Sequence, residues 1–280
     1  MDNSKSNNEL LTFGEHLDVL RKMLLRVLCV VILLACVIFC FKKQTFAILL
    51  APHYYDFCTF RLIESLLHYI NWDFHFTEYH IPLISTELSA QFMTHISVSC
   101  ILAALLSSPY ILFELFKFIS PALYESEKKY SYLVAGIIYF LFILGLLMSY
   151  FVLFPISFQF LATYQVDENI VNTITLDSYI STFTTLTIVM GVVFQLPVIT
   201  FILGKMGFID AALLKKYRTY AFVFIMIIAA IITPPDLFTL VLVTIPIYGL
   251  YEISILVLRK WCPQKESTPE IIDTINQENA

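Results

Sequence analysis

The stretch YAFVFIMIIAAIITPPDLFTLVLVTIPIYGLYEISILVL, residues 220–258, decides the fold. It is apolar almost throughout, but Thr233-Pro234-Pro235-Asp236 interrupts it. Proline lacks an amide hydrogen and clashes with the preceding helical turn, so two adjacent prolines followed by Asp read as a hairpin turn. The stretch therefore divides into two helices, 220–232 and 237–258. The first has 13 residues, only about 20 Å at 1.5 Å per residue. A hydrocarbon core is about 30 Å thick, so either the bilayer thins beside this helix or its neighbours shield its end.

Four further apolar runs precede it, at 23–41, 92–116, 132–154 and 179–204. The first starts too late and runs too long for a cleaved signal peptide, and Lys42-Lys43-Gln44 follows it without a small-residue cleavage site. The expected architecture is all-α, with six transmembrane helices forming a concave helical wall whose fifth and sixth members are short. An even count places both termini on one side, and Lys and Arg choose the side. Of the 17 basic residues, only Lys42, Lys43 and Arg61 fall in the loops opposite the termini. Both termini are therefore expected in the cytoplasm. Residues 1–22 become a cytoplasmic amphipathic segment, 23–258 the transmembrane domain, 42–91 an external cap rich in Tyr, Phe and His, and 259–280 a polar cytoplasmic tail.

Composition agrees. Of 280 residues, 59% are hydrophobic and 14% charged, with 25 Phe, 16 Tyr and 2 Trp. An ordinary soluble domain is roughly 45–50% apolar and 25% charged. A soluble core of this length could not hide so much apolar surface, which excludes a soluble enzyme. The formal charge of -5 leaves no basic footprint for nucleic acid. The six cysteines show no C-x-x-C spacing and read as small hydrophobes in apolar surroundings.

Catalytic templates are absent. There is no glycine-flanked serine, no H-E-x-x-H beside Glu15-His16, and no phosphate-binding glycine loop. No cofactor or metal is expected. Polar groups at membrane depth carry more, because desolvation makes them expensive. Glu114 lies near the end of the second helix, where it can snorkel to the surface. Gln195 precedes Pro197 in the fourth helix and needs hydrogen-bond partners. Glu252 in the sixth helix needs either a raised pKa or a donor. Gly191, Pro197 and Pro246 can open backbone carbonyls within helices. His95 reads as a hydrogen-bonded packing residue. On the cytoplasmic face, Phe118 to Lys129 runs from apolar residues into acids and bases, and the amphipathic stretch 11–20 places Glu15 and Asp18 at the membrane surface. These carboxylates either form a pocket for a cationic ligand or pair internally with Lys128 and Lys129.

The segments HLDVLRK (16–22), PYILFELFKFISPALYESE (109–127), YFVLFP (150–155), GVVFQLPV (191–198), TPPD (233–236) and IPIYGLYE (245–252) together resemble the TatC family. That family is the multispanning receptor subunit of the twin-arginine protein translocase. The resemblance spans nearly the whole folded chain and implies several things. The protein would recognise twin-arginine signal peptides at the cytoplasmic face of a bacterial inner membrane. It would nucleate a complex that exports folded cargo using the proton motive force. Its partners would be single-span TatA-type and TatB-type subunits and further copies of itself. Phe118 and Glu127 match the family's signal-peptide contacts, Arg21 and Lys22 its N-terminal basic pair, and Asp236 its external hairpin acid. Gln195, Pro197 and Glu252 would serve partner-helix docking. Two positions depart from the family pattern. Val19 stands where Glu is usual, so Asp18 or Glu15 would supply that charge, and Gln195 stands where Glu is frequent and cannot titrate. The alternative is a proton-coupled small-solute transporter using Glu114, Gln195 and Glu252 as a path.

Overall fold

The computed structural model describes residues 13–69, 81–119, 131–167 and 172–261. Helices dominate. In chain order they are α1 (Phe13–Cys40), α2 (Lys42–Leu50), α3 (Cys58–Tyr69), α4 (Ala90–Leu106), α5 (Ser108–Ile119), α6 (Ser131–Met148), α7 (Phe154–Thr163), α8 (Leu176–Val193), α9 (Leu196–Lys205), α10 (Ala211–Lys216), α11 (Arg218–Ile232) and α12 (Leu237–Trp261). Two short strands, β1 (Leu83–Ile84) and β2 (Ile174–Thr175), pair in parallel and tie two loops together at one end of the bundle.

Prolines explain where the helical rods bend. The run expected as one helix over 92–116 is instead α4 and α5, bent by 54° around Ser107. Pro109 enters at the start of α5, where its missing amide is harmless, but its ring cannot sit over the preceding turn of a straight helix. Gln195 and Pro197 repeat the device at the joint between α8 and α9, where Pro197 occupies the first turn of α9. Pro155 does not end its helix. A π-helical turn at Ser149–Leu153 widens the rod just before it, and α7 continues to Thr163. The third rod therefore runs from Val134 to Thr163, nine residues past the expected end at 154. The expected hairpin at Thr233–Asp236 is present, and Asp236 Oδ1 accepts the Thr239 amide at 2.6 Å, capping α12.

Among the described residues four helical rods are long and apolar enough to cross a membrane, and the bent α4–α5 pair makes a fifth. Helix α11 has 15 residues, about 22 Å by the helical rise, short of a full crossing as expected. Helix α12 is not short. It has 25 residues, because Arg259, Lys260 and Trp261 extend it beyond the apolar run.

The core lies where α8 meets α6, α7 and α12. Leu153, Leu186, Met190, Ala229 and Val243 are fully buried there, with Phe154, Tyr179 and Phe183 in edge-to-face contact. At Gly145 the helices α6 and α8 approach so closely that a Cβ would stand 2.5 Å from the Met190 carbonyl oxygen. Polar contacts lock the same seam, with Ser149 and Thr187 hydroxyls 3.2 Å apart. Long apolar side chains such as Leu33, Phe140, Val192, Phe224 and Ile231 remain exposed around the outside. A water-soluble protein rarely shows so much apolar surface, whereas a bilayer covers it. The protein is a multi-pass membrane protein. The five described cysteines are exposed rather than in the core, four of them on the apolar helices α1 and α4 and Cys58 at the start of α3 in the cap.

The segment 42–91, expected as an aromatic cap, contains the two helices α2 and α3 and a 3-10 turn at Ala51–His53. Tyrosine hydroxyls fasten it. Tyr150 donates to the Ile48 carbonyl at 2.7 Å and Tyr179 to the Leu49 carbonyl at 3.0 Å. Asp56 and Arg61 form a bidentate pair on its surface, which holds the Asp56 carboxyl below its ordinary value.

Candidate functional site

Two regions gather the residues singled out in the sequence. The first is the end of the molecule where the start of α1 meets α5. These helices run antiparallel, and their contact is pinned by one ion pair. Arg26 Nη2 stands 2.7 Å from Glu114 Oε2, and the Glu114 side chain is 9% exposed against 52% for Arg26. Glu114 thus reaches no surface by snorkelling, as its sequence position allowed. It is withdrawn into the protein and held by a cation from another helix. Phe118 follows one helical turn later on α5, on the same side as Glu114, and is partly buried. Asp18, Arg21 and Lys22 are all exposed at the start of α1, one to two turns before Arg26. This end therefore presents an aromatic side chain, an exposed acid and three basic residues. Glu15 belongs to α1, but its side chain lies outside the described residues, and Glu127 lies outside them altogether.

The second region is the seam between α6 and the α8–α9 joint. Gln195 occupies the joint because Pro197, two residues on, interrupts the backbone ladder. Its amide nitrogen donates to the Ile138 carbonyl of α6 at 3.1 Å, with a longer approach of 3.5 Å to Gly191. Its carbonyl oxygen, Oε1, is buried and has no hydrogen-bond partner. A buried acceptor without a donor is costly. Gln195 is thus anchored through its amide nitrogen, while its carbonyl oxygen is enclosed and unpaired, within reach of a donor only when the side chains that cover it move. Pro197 itself is buried beside it.

Glu252 belongs to neither region. Arg218 at the start of α11 donates to it at 2.7 Å, supplying the donor its sequence position demanded. Asp236 caps α12 through Oδ1 while Oδ2 is buried and unpartnered. Glu114 and Glu252 are each neutralised by a separate arginine, and among the described residues no hydrogen bond or ion pair joins either to Gln195. The transporter path drawn through these three residues therefore has no continuity among the described residues. Sequence reading missed Arg26 as the partner of Glu114. The signal was its position in α1 one turn past Lys22, in the midst of apolar residues, but the partner lies 88 positions away.

Comparison with known proteins places this arrangement. The family model described as Sec-independent protein translocase protein (TatC) matches residues 15–246. A protein of that name from Blattabacterium sp. subsp. Periplaneta americana (strain BPLAN) is 35% identical over 255 residues, covering 90% of this chain and 96% of the relative. Another from Helicobacter pylori (strain J99 / ATCC 700824) is 41% identical over 170 residues, covering 60% of this chain and 67% of the relative. A crystal structure of the twin-arginine translocase receptor TatC superposes with a TM-score of 0.69 at 30% identity, covering 88% of this chain and 98% of that one. A second crystal structure of that receptor, in DDM, gives 0.70 at 30% identity. The match in sequence and in fold runs through both regions described above, and the chain belongs to the TatC family of Sec-independent protein translocase proteins.

Proposed function

We propose that the protein is the signal-peptide receptor of a twin-arginine translocase in a bacterial inner membrane, with six spans and both termini in the cytoplasm. Under this reading 1–22 and 259–280 face the cytoplasm, 23–258 is the transmembrane domain, and 42–91 caps the outer side. The two arginines of a signal peptide bind carboxylates at the cytoplasmic face. Glu127 is the principal acid, with Asp18 or Glu15 taking the place of the usual Glu that Val19 replaces. Phe118 packs beside the bound peptide, and Arg21 and Lys22 flank it.

The observation that carries the reading is the fixed position of Phe118. It stands one turn beyond Glu114, whose buried carboxylate is clamped to Arg26 at 2.7 Å. A partly buried aromatic side chain at the end of α5, near the acidic and basic start of α1, suits a ligand with an apolar segment next to paired guanidinium groups. Guanidinium and carboxylate form charge-assisted, often bidentate hydrogen bonds, each contributing about 1.5–3 kcal/mol.

Single-span partners of the TatA and TatB types dock along the seam that carries Gln195 and Pro197, where the free Oε1 accepts a donor from the incoming helix. The short α11 thins the bilayer beside it, and Asp236 and Glu252 stabilise the hairpin on either side. The test of the receptor role is Glu127→Ala. Export of twin-arginine cargo is abolished while the protein stays in the membrane at normal abundance. Normal export with this substitution rejects the assignment.

A further inference from the structure

At the opposite end of the bundle from Phe118, where α1 gives way to α2, an open cleft of about 680 Å³ separates Lys42 from the loop before α4. Its walls carry the side chains of Lys42, Ser85, Thr86, Glu87, Gln91 and His95. His95 is 7% exposed and its ring lies flat against Phe39, with centroids 4.1 Å apart. Phe46 leans on it as well, at 5.8 Å. Yet the ring nitrogen Nε2 is buried without a hydrogen-bond partner. Stacking accounts for the ring, but not for the nitrogen.

The cleft also holds charges of both signs. Lys42 and Glu87 are exposed, and neither forms an ion pair among the described residues. The rim is apolar. Leu88 is fully exposed, Phe92 is 58% exposed and lines the cleft, and Phe39, Met93 and Ile96 continue the apolar surface below it. The level in the membrane is set by α1, whose apolar span ends at Cys40, two residues before Lys42. This is headgroup depth, where a lysine reaches out of the hydrocarbon.

We propose that this cleft binds the headgroup of an aminophospholipid, a phosphodiester bearing a primary ammonium. Lys42 takes the phosphate and the Thr86 hydroxyl donates to its oxygens, while the Ser85 hydroxyl gives up its long 3.4 Å bond to the Glu87 carbonyl to join them. His95 donates from Nε2 in the tautomer that carries its proton there. Glu87 accepts from the ammonium, and the acyl chains lie along Phe92, Phe39 and Ile96. The volume falls within the usual range for small-ligand sites, about 300–1,000 Å³. Each part of the ligand answers one unexplained feature. A quaternary choline cannot donate to Glu87, and a glycerol headgroup has no cation to place there. The apolar rim selects a lipid over a free phosphate ester. The site is remote from Phe118 and Gln195 and does not depend on the receptor reading.

The experiment uses the full chain reconstituted in nanodiscs containing equal amounts of phosphatidylethanolamine, phosphatidylglycerol and phosphatidylcholine. Lipids that stay with the protein after detergent extraction are measured by native mass spectrometry. Phosphatidylethanolamine should be retained about tenfold over the other two, the low end of the scale for one charge-assisted contact. Glu87→Gln should erase the preference over phosphatidylglycerol, and Lys42→Gln should reduce retention of both. Both positions are exposed, so both variants fold. His95→Phe preserves the stack and removes the nitrogen, and should lower phosphatidylethanolamine retention. Equal retention of the three lipids overturns the proposal, as does preference for phosphatidylglycerol in the unaltered protein. Displacement of the lipid by millimolar glycerophosphoethanolamine would overturn the lipid source by showing that the headgroup alone suffices.

Discussion

Replacing Arg26 by leucine should destabilise the protein more than replacing Glu114, and the two changes together should do least harm. The structure sets the asymmetry. The Glu114 side chain is 9% exposed and the Arg26 side chain 52%. Arg26→Leu strands a carboxylate that water cannot reach, whereas Glu114→Leu leaves a guanidinium that remains half hydrated. Breaking a fully buried pair costs about 3–5 kcal/mol, and breaking a surface pair about 0–1 kcal/mol. With one partner buried and the other half exposed, Arg26→Leu should cost about 2–3 kcal/mol and Glu114→Leu about 1 kcal/mol. The double substitution removes both charges and should fall within about 1 kcal/mol of the original protein, giving a coupling energy of about 2–4 kcal/mol. Equilibrium unfolding in mixed detergent micelles measures all four corners of the cycle. A coupling below about 0.5 kcal/mol, or a larger loss for Glu114→Leu than for Arg26→Leu, refutes the reasoning from burial. The same pair sets the position of Phe118 one turn along, so Arg26→Leu should also weaken signal-peptide binding, and the double substitution should not restore it fully.

Two other outcomes follow from the geometry. Gln195→Leu loses the hydrogen bond to Ile138 but also removes the unpartnered Oε1, so stability should change by less than about 1 kcal/mol. Crosslinks from neighbouring Val192 or Ile199 to a TatA-type or TatB-type helix should fall severalfold, and capture of lipid alone in the unaltered protein would refute docking there. In the cap, the Arg61 hydrogen bond holds the Asp56 carboxyl below 3.8. A lowered folded value means that the pair's contribution is complete above that pH and is lost as pH falls through the lowered value. Hydrogen exchange across 54–61 should therefore be constant from pH 7 to pH 5 on the intrinsic-rate scale and rise only in stronger acid. A rise already near pH 6 would contradict the pairing.

Much of this architecture was legible because proline and hydrophobic runs act locally. The Thr233–Asp236 turn was readable from its double proline, and the short α11 from the 13-residue apolar run 220–232 before it. Pro109 and Pro197 showed a sequence echo, each followed by a pair of lysines about twenty residues later. In the structure both mark a bend or joint in a rod, between α4 and α5 and between α8 and α9. The sequence reading kept 92–116 straight because apolar length alone carries no angle. Pro155 misled in the other direction. It looked like a helix end, but the π turn before it absorbs the missing hydrogen bond.

The site was legible in part. Glu252 plainly needed a donor, yet nothing local identifies Arg218, 34 positions earlier. Glu114 had a still more distant answer in Arg26, 88 positions earlier. Such pairs form when helices pack, and packing is a property of faces rather than of neighbouring letters. The helices α2 and α3 in the cap were missed because a long aromatic segment reads as interfacial loop until its own hydrogen bonds are seen. His95 was read correctly as a packing residue, but the reading gave it a hydrogen bond that Nε2 lacks.

The central claim is that this scaffold reads paired arginines beside a rigid aromatic. A photo-crosslinking amino acid at position 118, in the assembled protein, tests it most directly when a signal peptide is offered with Arg-Arg and then with Lys-Lys. Lysine keeps the charge but loses the bidentate guanidinium geometry. The account predicts strong capture of the Arg-Arg peptide and at least about tenfold less of the Lys-Lys peptide, the loss of one or two charge-assisted bonds. Equal capture of the two peptides at this position would contradict it.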